Sequence, residues 1–173
     1  MAVALFEVAD HVNVPNIRSI PPRSRNKTLQ NTEPLEKLTS DFAPDPDLYQ
    51  ITVEDASATG KPTVVVFASP GFCTSPTCGP QTANLSELKA EHAGEANFIH
   101  VEIYDNPDEI QGDLNKATLS QPVQDWGISD LPDWFNESWT FILSDEGRVR
   151  QRLEGFATLE ELESALQAVL AQS

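Results

Sequence analysis

Basic side chains are scarce in this chain: 11 Lys and Arg stand against 27 Asp and Glu, for a formal net charge of -16. A polyanion repels phosphate backbones and anionic headgroups, so no nucleic acid and no acidic membrane surface is expected as a partner. Long apolar runs are missing too, and no membrane span is expected. The opening MAVALFEVAD lacks a basic stretch and meets Glu7 early, which makes it a poor signal peptide. Cysteine is limited to Cys73 and Cys78. Two thiols fit a structural bridge or a redox pair and do not fix the compartment. Histidine occurs only at His11, His92 and His100. His100 alternates within an apolar strand and reads as a core or sheet-face residue. His92 closes a helix, where a cation suits the dipole. The carboxylates of residues 105–109 do not follow the spacing of a calcium loop. No metal site and no cofactor is therefore expected.

What is present is unevenly distributed. Residues 1–37 hold five bases and four acids, so the rest of the chain carries 23 of the 27 acids and only 6 of the 11 bases. Residues 1–45 read as an N-terminal arm. Pro15, Pro21, Pro22 and a basic-polar run interrupt any long element, Val12, Val14 and Ile17 allow one short strand, and Phe6, Leu35 and Leu38 need cover. Residues 46–173 read as one domain, long enough to bury a core.

Within that domain Thr63 to Ala68 is a β-branched and aromatic run, expected as a strand covered on both faces. The periodicity predicts a helix over residues 82–92, a strand over 97–104, a short helix within 110–117 and a strand over 138–143. Asp145-Glu146-Gly147 predicts a hairpin turn into residues 148–153. Thr158 with Glu161 forms a capping box before the stripe Leu159, Leu162, Leu166, Val169, Leu170, which predicts the last helix. The order implies an α/β fold: a mixed central sheet flanked by helices, with parallel strands through a right-handed crossover and an antiparallel hairpin.

Both cysteines lie in ASPGFCTSPTCGPQ, between the apolar strand and the following helix. A helix N-terminus favours thiolate, the form that attacks disulfides and peroxides. If the helix starts at Pro80, Cys78 stands at its entrance and Cys73 in a prolyl loop, within the ~6 Å Cα separation a disulfide needs. If it starts at Pro76, the two lie ~7.5 Å apart along the axis and point away from each other. The sequence leaves both registers, and the identity of the nucleophile, open. No Lys, Arg or His falls between Ser69 and Gln81, so only the dipole and backbone donors support a thiolate there.

VVVFASPGFC and WTFILSDEG resemble the strand before the active site and the later strand and turn of the thioredoxin-like superfamily. Cys78-Gly79-Pro80-Gln81 resembles the Cys-Gly-Pro-Cys of thioredoxin with its second cysteine replaced. FCTSPTCGP, with its C-x4-C spacing, is similar to bacterial, actinobacterial-type extracytoplasmic thioredoxin-like proteins. The resemblance implies a thioredoxin-like fold and a thiol–disulfide oxidoreductase using Cys73 and Cys78. Substrate contacts are expected at Phe72 and Pro80 beside the cysteines, with Phe72, Trp134 and Trp139 as an aromatic rim, and at Ser138 and Trp139, where the resemblance puts the backbone that receives substrate. Its partners would be protein thiols or disulfides and an electron-donor thiol protein, in an extracytoplasmic setting. Thioredoxins carry a cis-proline before the later strand; here Ser138 or Trp139 falls there, and a trans peptide is expected.

SPGFCTSPTCG also resembles bacterioferritin-comigratory peroxiredoxins, which implies Cys73 as peroxidatic and Cys78 as resolving residue. Those enzymes place Thr or Ser where Pro70 stands and an arginine where Glu137, Ser138 and Trp139 lead into Thr140. The remaining reading is a structural disulfide in a non-catalytic domain that acts as a protein-interaction module.

Overall fold

The computed structural model describes residues 12–172. After two short 3-10 turns (Leu35–Lys37 and Pro46–Tyr49), α1 spans Val53–Ala56, capped by the Thr52 side chain on the Asp55 N–H. Strand β1, Thr63–Ala68, is buried along its whole length, as its unbroken apolar run requires. Helix α2 runs Cys78–Glu91, β2 Asn97–Glu102, α3 Pro107–Ile110 and α4 Gln121–Asp125. Strands β3, Trp139–Leu143, and β4, Val149–Glu154, form the hairpin, and α5 is Leu159–Leu170. The sheet order is β2-β1-β3-β4; β1 pairs with β2 in parallel, and β1–β3 and β3–β4 are antiparallel. This is the mixed sheet flanked by helices that the sequence predicts.

Alternation along β1 splits the core into two layers. Val64, Val66 and Ala68 face a cluster with Cys78, Leu85 and Leu88 of α2 and Leu162, Leu166 and Val169 of α5. Val65 and Phe67 face Ile99, Val123, Trp126 and Phe141 on the other side. There the Phe67 ring lies 4.9 Å from Trp126 and 6.0 Å from Phe141, and Trp126 lies 4.8 Å from Phe141. These tilted and edge-to-face contacts are the ones aromatic quadrupoles favour. The capping box on α5 is formed in both directions between Thr158 and Glu161. At the hairpin Gly147 takes φ 73°, and its N–H reaches Ser144 O at 2.9 Å. Glycine adopts that conformation without steric cost.

Several boundaries differ from expectation. Helix α2 begins at Cys78, four residues earlier than predicted and at neither proline. Pro80 falls inside the first turn, where a missing N–H costs nothing because those groups have no intrahelical partner. The helix expected within 110–117 is broken. Gln111 and Gly112 take φ 47° and 81°, which ends α3 and leaves a separate 3-10 turn at Leu114–Lys116. Left-handed residues of this kind are common helix terminators. The strand expected around Val12, Val14 and Ile17 does not form. Instead the chain makes two bonds to the edge of β4, Arg18 N–H to Val149 O (2.7 Å) and Val149 N–H to Ser19 O (2.9 Å). Phe6 lies outside the described residues.

Residues 12–45 lie against the rest of the protein. Val14 and Leu38 are buried in opposite layers, and Trp126 donates its indole N–H to Ser24 Oγ at 2.9 Å. Asn26 Oδ1 accepts from the first N–H of α1, Val53, at 2.8 Å. No described helix is long and apolar enough to cross a membrane.

Candidate active site

The chain leaves β1 at Ala68 and turns at once: the N–H groups of Phe72 and Cys73 both bond Ser69 O, at 3.0 and 2.9 Å. Gly71 sits under the arm. Its N–H bonds Ser40 Oγ at 3.0 Å, and a Cβ there would fall 2.7 Å from Ser40 O, so only glycine fits without a shift. The loop then brings Cys73 back over the start of α2, where Cys78 is the first helical residue. The two are joined in a disulfide with a Cα–Cα distance of 6.0 Å. The helix starts at neither proline, but Cys78 stands at its entrance and Cys73 in the loop, the arrangement the sequence attaches to a start at Pro80.

The two sulfurs differ in access. Cys78 is 0% exposed and part of the α2–α5 core, whereas Cys73 is partly exposed. Both face the main-chain carbonyl of Asn136, whose oxygen is 3.5 Å from Cys73 Sγ and 3.8 Å from Cys78 Sγ. Asn136 sits at φ 51°. That is a left-handed conformation, which asparagine tolerates better than most residues. Its side chain fixes the cysteine loop. Oδ1 accepts from Thr74 N–H (3.0 Å) and Thr74 Oγ (2.9 Å), and Nδ2 donates to Phe72 O (2.9 Å) and Tyr104 Oη (3.1 Å). The neighbouring Glu137 accepts from Ser75 Oγ at 2.9 Å, and that hydroxyl lies 3.7 Å from Cys73 Sγ. Carbonyl and carboxylate thus surround the pair, with no Lys, Arg or His in the loop itself. What favours thiolate is the N-terminus of α2, and Cys78 is the sulfur placed on it.

The other residues singled out from the sequence are placed as follows. Phe72 is half-buried, packed edge-on against Tyr104 at 6.1 Å, and Pro80 is exposed on the first turn of α2. Ser138 is fully buried, its Oγ donating to Gly155 O at 2.9 Å. Trp139 is stacked on Phe141 and 5% exposed, and its indole N–H has no hydrogen-bond partner among the described residues. In this disulfide form neither Ser138 nor Trp139 reaches the surface. Among the described residues the only cis peptide is Glu33–Pro34, so the bonds leading into β3 are trans.

Sequence reasoning misses Asn136, Ser40 and Glu102. Glu102 ends β2 and is buried, with Oε2 accepting from Ser40 N–H (2.8 Å) and Ser40 Oγ (2.7 Å). Burial pushes its carboxyl up to about 7, against the lowering effect of hydrogen bonds from Ser69, Ser40 and Tyr104. Desolvation penalises the charged form, and here it wins over the donors. Two residues away on the same strand, His100 is also buried. It accepts at Nδ1 from Tyr49 Oη (2.7 Å) and donates from Nε2 to Ala68 O (3.1 Å), and burial pushes its pKa down to about 4. The one sequence signal for Asn136 is an asparagine in a turn-rich stretch ahead of a strand. Ser40 and Glu102 give none, because their meeting depends on how the arm lies.

The molecule has the thioredoxin-like fold. It is similar to a structure described as a putative thiol:disulfide interchange protein DsbE from Chlorobium tepidum, at 12% identity and a TM-score of 0.59, covering 90% of this chain and 99% of that one. DsbF of MTB, solved in mixed oxidised and reduced forms, gives 20% identity and 0.52 over 85% and 95%. A putative protein disulfide isomerase from Bacteroides thetaiotaomicron gives 10% and 0.59 over 90% and 88%. The sequence matches no protein-family model, and no curated protein matches it.

Proposed function

We propose that the protein is a thiol–disulfide oxidoreductase in which Cys73 exchanges with substrate and Cys78 is the resolving, leaving-group thiol. The observation that carries this reading is the inequality of the two cysteines: Cys73 is partly exposed, and its partner is buried as the first residue of a 14-residue helix. Exchange needs the attacking sulfur, the attacked sulfur and the leaving sulfur in line, and only Cys73 can be reached from solvent. A substrate thiolate places its electron pair on Cys73 Sγ, the Cys73–Cys78 bond breaks, and its pair leaves on Cys78. There the unpaired N–H groups at the start of α2 hold the charge. A second substrate thiolate then attacks the substrate sulfur of the mixed disulfide and releases Cys73. The substrate has lost two electrons and the protein has become a dithiol. An electron-poor partner reoxidises it, or, run in reverse, an electron-donor thiol protein reduces it.

Phe72 and Pro80 would border the approach to Cys73, while Ser138, bonded to Gly155 O, and Trp139, packed in the opposite core layer, would not touch the substrate. The trans peptides before β3 and the Asn136 carbonyl over the sulfurs give this site a floor unlike the cis-proline of thioredoxins, so side chains rather than an added strand would hold the substrate. The peroxidase reading finds no support here. Pro70 offers no hydroxyl, and the cysteine loop holds no cation to polarise a peroxide. The names of the similar solved structures agree with disulfide interchange.

The test is turnover of a model dithiol–disulfide couple by the full chain. Activity lost in both Cys73→Ser and Cys78→Ser, with a mixed disulfide trapped on Cys73 of the Cys78→Ser protein, supports the assignment. Trapping at Cys78 of the Cys73→Ser protein instead would reverse it, and an inactive wild type would overturn it.

A further inference from the structure

Three segments converge on the disulfide, and within residues 38–47, 69–81 and 131–139 every charge is negative. The cysteine loop, residues 69–81, contains no charged residue. The arm reaches it through Ser40, and Asp41 Oδ2 accepts from Thr82 Oγ on α2 at 2.9 Å. The segment before β3 reaches it through Asn136 and Glu137, and residues 131–139 carry Asp133 and Glu137 without a single base. Among the described residues none of Asp41, Asp133 and Glu137 makes an ion pair. Of the cations on flanking elements, Arg25 is engaged with Glu54, Lys27 with Asp105 (3.1 Å), and Lys89 with Asp45 and Asp47 (2.8 Å each), while Lys37, on the 3-10 turn before Ser40, makes no ion pair among the described residues. Two large apolar side chains stand open on the same segments, Phe42 at 95% and Phe135 at 65% exposure.

We infer that the partner read by this site is a cationic polypeptide, with Lys or Arg near its reacting cysteine and an apolar residue to cover Phe135. This rests on the oxidoreductase reading and adds the substrate class to it. The charge of the whole molecule, -16, points the same way. An acidic protein with unpaired carboxylates around a neutral, partly exposed sulfur attracts positive partners and raises their encounter rate by roughly 10- to 1,000-fold at low salt. It also turns away acidic thiols, which is a form of selection that needs no pocket. Phe135 and Phe42 then supply the non-directional contact that holds a partner already steered in.

The experiment measures mixed-disulfide formation between the oxidised full chain and three thiols, with rate constants expressed per thiolate from each thiol's own pKa. The thiols are a peptide with one cysteine flanked by lysines, its glutamate counterpart, and uncharged 2-mercaptoethanol. At low ionic strength the Lys peptide is expected to react at least tenfold faster than the Glu peptide, with the gap closing to about threefold or less at 0.5 M salt, where charges beyond ~4–5 Å are screened. In Asp133→Asn/Glu137→Gln the Lys-to-Glu ratio, each rate divided by that of 2-mercaptoethanol with the same variant, should narrow at least threefold. Equal rates for the two peptides, with 2-mercaptoethanol reacting normally, would overturn the cationic partner and leave the oxidoreductase standing. A Lys preference unchanged by salt or by the double variant would also overturn it. Failure of all three thiols to open the disulfide would bring down the redox reading itself.

Discussion

Replacing Asn136 by alanine removes four side-chain hydrogen bonds between the cysteine loop and the segment before β3. A neutral bond of this kind contributes about 0.5–1.5 kcal/mol net. The two to Thr74 are at an exposed residue, where water can replace them, so most of the loss comes from those to Phe72 O and Tyr104 Oη. Alanine must also hold the left-handed backbone of this position. That costs about 1–2 kcal/mol. Together these give about 3 kcal/mol, or roughly 6–12 °C in Tm for a chain of this size. Asn136→Gly separates the two contributions: glycine adopts the same φ without strain and should lose only about 2 kcal/mol. Urea unfolding of the oxidised full chain reads both. The same variants should be opened faster by dithiothreitol, because the loop no longer holds the Asn136 carbonyl over the sulfurs. An alanine variant within about 1 kcal/mol of the parent, or a glycine variant as damaged as alanine, would refute the account of the loop as clamped by this side chain.

Glu102 and His100 should give the stability curve two opposed slopes. Glu102 titrates near 7 in the folded state against 4.5 unfolded. The folded state therefore holds the extra proton, and stability falls by about 3 kcal/mol as pH rises through that window. His100, near 4 folded against 6.5 unfolded, loses stability as pH falls from 6.5 towards 4. The wild type should be nearly flat where the two windows overlap, while Glu102→Gln should weaken steadily below pH 6.5; a flat profile in that variant would contradict the assignment. His92, 2.6 Å from Glu95 and 2.7 Å from Glu163, has its pKa raised, because the two carboxylates outweigh the opposing effect of burial. Its link from α2 to α5 is fully present below about 6.5 and lost as pH rises through the raised value, so the Tm gap between wild type and His92→Gln should shrink on the alkaline side. Gln81 Oε1 accepts from the buried N–H of Ala157 at 2.8 Å. Gln81→Leu leaves that donor without a partner and should cost about 1–3 kcal/mol in urea. After reduction, Cys73 should alkylate much faster than Cys78, measured by mass spectrometry of partially labelled protein.

The parts of the fold legible in the sequence are those where one local pattern settles the outcome. The β-branched and aromatic run from Thr63 to Phe67 can only be a doubly covered strand, and Thr158 with Glu161 sets the start of α5 to the residue. Where two rules compete, local reading slips. Pro76 and Pro80 each suggest a first helical residue, yet a first turn accepts proline at any of its positions, so the true start at Cys78 does not follow from either. The cysteine pair is visible because strand, turn and helix follow each other directly. Its surroundings are not: Asn136 lies 63 residues from Cys73, and Ser40 reaches Gly71 across 31 residues. Contacts of that range depend on how loops lie on a finished sheet, which no periodicity records.

The way the first described residues are used has a consequence for how the protein can be handled. Val14 closes one layer and Leu38 the other, while Ser24 and Asn26 satisfy donors of Trp126 and α1 that lie on the body. Cutting the chain near residue 46 would strip both layers at once and strand two buried N–H groups. Limited proteolysis should accordingly show no protected fragment that begins there: the arm and the sheet should come apart in a single cooperative step, and the cysteine loop, tethered through Ser40, should go with them.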